Sequence, residues 1–310
     1  MLVTILAGLL MIIILVAIHE LGHLLVARHY GVGVEEFSIG FGPGFVLWQT
    51  KNFPIYFRYI PLGGYVTLKS RTVSQNVSQG KHIEDVSWLQ NIFIMIGGIS
   101  FNLILAVLIR TVMYLFAPPE VLVQFGPLEV NFVQGVVWYL APFYAIERIF
   151  IVFFSVWIGV LMTFWRLIIP ILTLTPIPHG GIAGMINLGA NIHLGFWSYT
   201  GLICFVSTLL ASLNLLPFMP LDGGHVAKTL AGRLFGQGIL FKLIRLFINV
   251  LGAIFLGIMF LNLFLSDLYD LAITAGLNFN NLLFIAFFIA DGFFFTYAVR
   301  RAIRIEKNKK

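Results

Sequence analysis

The chain has 310 residues, 59% of them hydrophobic and only 10% charged, with a mean hydropathy of +0.97; soluble domains are about a quarter charged, so a water-soluble fold is excluded. A single cysteine, Cys204, excludes a disulfide framework within the chain. The net charge of +6 would suggest a nucleic-acid partner in a soluble protein. Here the basic residues gather in blocks between apolar runs, where they mark one side of a lipid bilayer, and no nucleic-acid partner is expected.

Apolar runs of about 20 residues, the length that crosses a membrane, fall at 1–28, 92–116, 149–174, 196–216, 239–265 and 282–299. The first lacks a basic leader and a small-residue cleavage pattern and leads into an ionisable cluster, so it reads as a retained span and not a secretory signal. Between the first two runs, residues 53–69 alternate as a β-hairpin, with Ile55, Phe57 and Tyr59 on one face and Gly63-Gly64 as the turn. Lys51, Arg58, Lys69, Arg71 and Lys81 also lie there; Lys228, Arg233, Lys242 and Arg245 follow the fourth run, and the tail from Arg300 onward is basic. Stretches 117–147, 173–200 and 266–281 hold no Lys or Arg. The basic blocks are therefore expected in the cytoplasm and the bare stretches outside. Both flanks of 149–174 then lie outside, and that run carries Arg166 near its middle. It is expected to lie in or dip into the outer leaflet without crossing, the alternative being a sixth span. The expected fold is an all-α polytopic membrane protein: about five transmembrane helices, one interfacial or re-entrant helix and a small membrane-associated β-hairpin.

His19-Glu20-Leu21-Gly22-His23 lies inside the first run. On a helix, residues four apart share a face, so both imidazoles reach one ion. Glu20 stands beside them, placed to take a proton from a metal-activated water and pass it to a leaving amine. Imidazole and carboxylate donors suit Zn²⁺, whose catalytic sites use three protein ligands and keep one open position. Among the other acids in or at the edge of apolar runs, Asp222 and Asp291 stand out; Asp222 ends Asn214-Leu215-Leu216-Pro217-Phe218-Met219-Pro220-Leu221-Asp222, before Gly223-Gly224-His225. Pro217 and Pro220 interrupt the helix and the glycines permit close backbone approach. A broken helix at membrane depth is tolerated where it lines a cavity.

The HELGH pentad on the first span, with Asn-x-x-Pro-x-x-x-Leu-Asp-Gly-Gly far downstream, resembles the site-2 protease family of intramembrane zinc metalloproteases. Gly31 to Pro43, Pro61 to Val66 and Gly98-Ile99-Ser100-Phe101-Asn102 resemble its bacterial branch of regulator of sigma-E protease (RseP) type. The resemblance implies that His19, His23 and Asp222 hold zinc, that Glu20 activates water, and that Asn214 and Asn102 with Gly63, Gly64 and Tyr65 serve substrate or oxyanion. Asn214 as a helix-packing residue is the alternative. It also implies a β-loop whose edge pairs with unwound substrate, and single-span membrane proteins as substrates, for example anti-sigma factors or signal-peptide remnants. The location implied is the bacterial cytoplasmic (inner) membrane, multi-pass; nothing fixes the oligomeric state. Two departures stand out: 117–147 is too short for the PDZ domains usual in that branch, and a further run with Asp291 follows the core. The expected division is a metalloprotease core over 1–270 and an added helix with a basic cytoplasmic tail over 271–310. A metal- or proton-coupled transporter using the same His and acid groups is the competing reading; inverted repeats would favour it, and none is visible.

Overall fold

A computed structural model describes residues 2–71, 79–117, 123–125, 128–130, 138–173, 195–236, 238–254 and 257. The chain divides into two compact units, 1–157 with 192–215 and 158–191 with 216–310. The last apolar run, at 282–299, with Asp291 and the basic tail lies outside the described residues.

In the first unit, α1 (Leu2–His29) carries the histidine pentad in its second half and ends on Arg28 and His29, cations that suit a helix C-terminus. Gly31, at φ 77°, then turns the chain out of the helix. Strands β1 (Val34–Gln49) and β2 (Pro54–Leu68) follow and pair antiparallel. Both strands are bent. Phe37, Ser38 and Ile39 face Val66, Tyr65 and Gly64 on one edge and Ile55, Tyr56 and Phe57 on the other, while Gly44 to Gln49 pairs back along Arg58 to Pro54. The chain reverses at Thr50–Phe53, where the Thr50 hydroxyl takes the Phe53 N–H at 2.9 Å. The expected hairpin over 53–69 takes this form: Gly63-Gly64 lies inside β2, next to a reversal within that strand, since 55–57 runs in the same direction as 37–39 and 64–66 runs against it, with Gly64 opposite Ile39. Leu24 of α1 packs with Val34, Phe37 and Phe53 of the sheet region, which fastens the sheet to the His-bearing half of α1.

A capping box opens α2 (Trp88–Phe116): the Ser87 hydroxyl accepts the Gln90 N–H and the Gln90 side chain accepts the Ser87 N–H. Ala27 packs on Ile94, and Asn102 lies level with His19, so α2 runs antiparallel to α1. Two short strands, β3 (Val123–Phe125) and β4 (Leu128–Val130), pair antiparallel before α3 (Ala141–Thr173). Next comes α4 (Phe196–Asn214). The Tyr199 hydroxyl donates to Ala7 O, and Ser207 Oγ donates to Asn102 O at 2.9 Å, so α4 runs with α1 and against α2. Cys204 is buried in that contact, its thiol facing Ala106 O at 3.4 Å. The first half of α3 descends beside α4: Ile149 packs with Ala106 and Cys204, Phe153 with Ile99 and Ala211, and Trp157 Nε1–H donates to Ser212 O. Since α2 ends where α4 begins, the crossings between them must sum to an even number.

In the second unit, α5 (Asp222–Phe235) follows an extended Leu221, and residues 239–254 form α6. Gly252 sits directly on the Met219 backbone, where an added methyl would lie 2.2 Å from the carbonyl oxygen. Four helical segments among the described residues are long and apolar enough to cross a membrane: Ala7–His29, Trp88–Phe116, Ala141–Ile158 and Phe196–Asn214.

Candidate metal centre

Helical spacing brings His19 and His23 together as the sequence requires. They are 6% and 9% exposed, their rings meet edge to face with centroids 4.9 Å apart, and the two Nε2 atoms are 3.2 Å apart. Each ring is held at its far nitrogen by α2. His23 Nδ1–H donates to the Ile94 carbonyl at 2.8 Å, which leaves Nε2 with its lone pair toward His19. His19 Nδ1 faces Asn102 Nδ2 at 3.2 Å. Asn102 is fully buried, and its Oδ1 has no hydrogen-bond partner.

Small residues let these groups meet. At Gly22 a methyl would lie 2.3 Å from Gly97 O, so α1 and α2 touch backbone to backbone. At Gly98 it would lie 2.4 Å from His23 Nε2 and 2.7 Å from His19 Nε2. The space beside both donor atoms is thus a cradle that any side chain at 98 would fill. On the other side of α1, β2 passes over Glu20: a methyl at Gly64 would meet Ser38 O at 2.7 Å, Val16 Cγ1 at 2.9 Å and Glu20 Cγ at 3.3 Å. Glu20 is half-buried.

Tyr65 follows, paired with Ser38, its ring stacked on Phe41 and flanked by the Arg58 guanidinium at 5.6 Å. Arg58 staples the bend of β1, donating to Ser38 Oγ and Gly42 O at 2.8 Å each and pairing with Glu36 at 3.3 Å. Burial, and after it the Glu36 carboxylate, push the Tyr65 phenol up, so it stays a neutral donor. Gly63 packs against the Phe41 ring instead of Glu20. Asn214 is the last residue of α4, half-buried.

Asp222 stands in the second unit as the first residue of α5, half-buried, where the helix N-terminus favours a carboxylate. Gly224 follows because the Phe218 carbonyl leaves no room: a methyl there would lie 2.6 Å away. The structure therefore brings together His19, His23, Glu20, Asn102 and Gly64 within one unit. The Ile94 carbonyl is a contributor that sequence reading missed, since a backbone group leaves no mark in the residue type. Two converging imidazole donors, an open cradle beside them and an orphaned acceptor behind one ring fit a zinc ion.

The family profile described as Peptidase family M50 matches residues 7–259, and the chain belongs to that family. A Helicobacter pylori (strain J99) protein named "Putative zinc metalloprotease" is 38% identical over 133 residues, 41% of this chain and 37% of that one. The regulator of sigma E protease of Haemophilus influenzae is 36% identical over 117 residues, 36% of this chain and 26% of that one. A Campylobacter jejuni protein of similar name to the first is 43% identical over 105 residues, covering 33% and 28%. The matched stretch thus spans well under half the length of each of these relatives. Family and apolar helices together make this a polytopic membrane protein.

Proposed function

We propose that the chain is an intramembrane zinc metalloendopeptidase of the bacterial cytoplasmic membrane that cuts transmembrane segments of single-span proteins. The buried histidine pair converging at 3.2 Å beside the cradle of Gly98 carries the reading. Asp222 is the third ligand. Seven residues of chain tether it to Leu215 at the end of α4, a reach of up to about 25 Å at 3.3–3.6 Å per residue, and α4 ends at the same end of the helix group as the His-bearing half of α1. Family membership supports this over a transporter built on the same residues.

His19, His23 and Asp222 would hold the zinc ion, which would supply Lewis acidity toward the scissile carbonyl and the attacking water. Glu20 takes that water's proton and returns it to the departing amine nitrogen. The Asn214 amide donates to the oxyanion as charge develops on it. A helical peptide bond is shielded by its own hydrogen bonds, so the substrate must unwind. Gly63, Gly64 and Tyr65 on β2 then offer backbone groups to it as an added strand, next to Glu20. The name of the Haemophilus influenzae relative fits a part in regulated proteolysis, for example of anti-sigma factors or signal-peptide remnants.

The test is Glu20→Gln in liposomes carrying a single-span reporter. Zinc content should stay near one per chain while cleavage falls by several orders of magnitude, because an amide cannot accept the proton. Cleavage at the wild-type rate would move the base elsewhere.

A further inference from the structure

The Ile94 carbonyl sets the tautomer of His23, and the contacts of His19 match one tautomer of its ring. The Ile94 carbonyl can only accept, so His23 holds its proton on Nδ1 and offers Nε2 as an acceptor. His19 Nε2 faces that acceptor at 3.2 Å and donates to it; His19 Nδ1 is then the acceptor for Asn102 Nδ2–H at 3.2 Å. This chain of donors is internally consistent, and it leaves one fault, the buried Asn102 Oδ1 with nothing to accept from. It also points the His19 proton at the very space where an ion would bind.

We infer that Asn102 is a positioning residue for His19, whose amide turns over when the site loads. This rests on the reading that His19 ligates zinc through Nε2. When it does so, the ring proton leaves Nε2 and is carried on Nδ1, now facing an amide that also donates. A half turn of the Asn102 side chain exchanges Nδ2 for Oδ1 with no change of shape, and the orphaned oxygen accepts the His19 Nδ1–H. His19 then gains what His23 already has from Ile94, a carbonyl oxygen behind the ligating ring. The side chain is free to serve this purpose because Ser207 holds α4 to the Asn102 backbone carbonyl, not to its amide.

Zinc affinity of the purified full chain in detergent, by competition with a chromophoric chelator, tests this with Asn102→Leu and Asn102→Asp. Leucine keeps the volume without an acceptor and should weaken zinc about 10- to 100-fold; aspartate restores an acceptor and should return affinity to within a few-fold of wild type. Equal affinity in the leucine variant, or an aspartate variant as weak as leucine, overturns the role. A measurement on the unmodified chain guards against misfolded variants. Loaded with Co²⁺, it should show two slowly exchanging, paramagnetically shifted imidazole N–H protons, one per histidine, and a missing His19 signal also overturns the inference. Failure of the underlying reading looks different: wild-type chain that binds no zinc, or binds it equally well as His23→Ala.

Discussion

A methyl group placed on Gly98 would sit 2.4 Å from His23 Nε2, far inside contact distance, and one on Gly64 would reach the Ser38 carbonyl and the Glu20 side chain. Both positions fail on substitution, but for separable reasons. Gly98→Ala must push an imidazole off the donor position or part α1 from α2, at about 1–3 kcal/mol of overpacking. Zinc per chain should drop well below one, read by elemental analysis. Gly64→Ala lifts β2 away from Glu20 and leaves the histidines alone; zinc should stay bound while cleavage falls about 100-fold, the scale expected of an ångström's misplacement near the chemistry. The histidine pair is legible in the sequence because four-residue spacing converts directly into a shared helix face. The Asn102–His19 contact is not, since it joins residues 83 apart whose meeting depends on how α1 and α2 cross.

At the level of elements, glycine serves two purposes that a sequence does not separate. Gly63-Gly64 reads as a turn; in β2 it borders the strand's own reversal between Phe57 and Gly64, and Gly64 is small also because another chain segment passes within contact distance. The reversal between the two strands, at Thr50 to Phe53, carries no glycine at all and is held by a threonine hydroxyl. Its neighbours Phe45, Val46, Leu47 and Trp48 are all exposed, Trp48 at 67%. Consecutive strand residues point to opposite faces, so both faces of this tip are apolar and bare. In water such an edge would aggregate; in a bilayer it is at home. A nitroxide on Val46→Cys, in a Cys204→Ser background, should be relaxed by dissolved oxygen and shielded from a water-soluble nickel chelate. The reverse accessibility would place the tip in solvent.

Helix directions decide the topology of the whole molecule. Ala141–Ile158, which overlaps the run at 149–174, is long and apolar enough to cross, and the expectation that this run does not span is put to the test by labelling. Stretches 117–147 and 173–200 hold no Lys or Arg, although Arg148 borders the run, and the antiparallel packing of α2 against both α1 and α4 asks for an even number of crossings between them, which none or two would meet. Single cysteines replacing Gln134 and Asn187, with Cys204→Ser, should both react with an impermeant thiol reagent added to intact cells. Labelling of one only would require an odd number of crossings and a different helix order. With the basic blocks inside, the His-bearing end of α1 faces the cytoplasm, and substrate fragments should map to cuts in the cytoplasmic half of their spans. The native thiol has a use of its own. Cys204 is the chain's one cysteine and is sealed between α2 and α4, the two helices that bear Asn102 and Asn214. A membrane-permeant alkylating agent can reach it only while those helices part, so the rate at which the unmodified protein loses its thiol is a clock for the bundle's breathing, and a substrate that wedges the helices open would make that clock run fast.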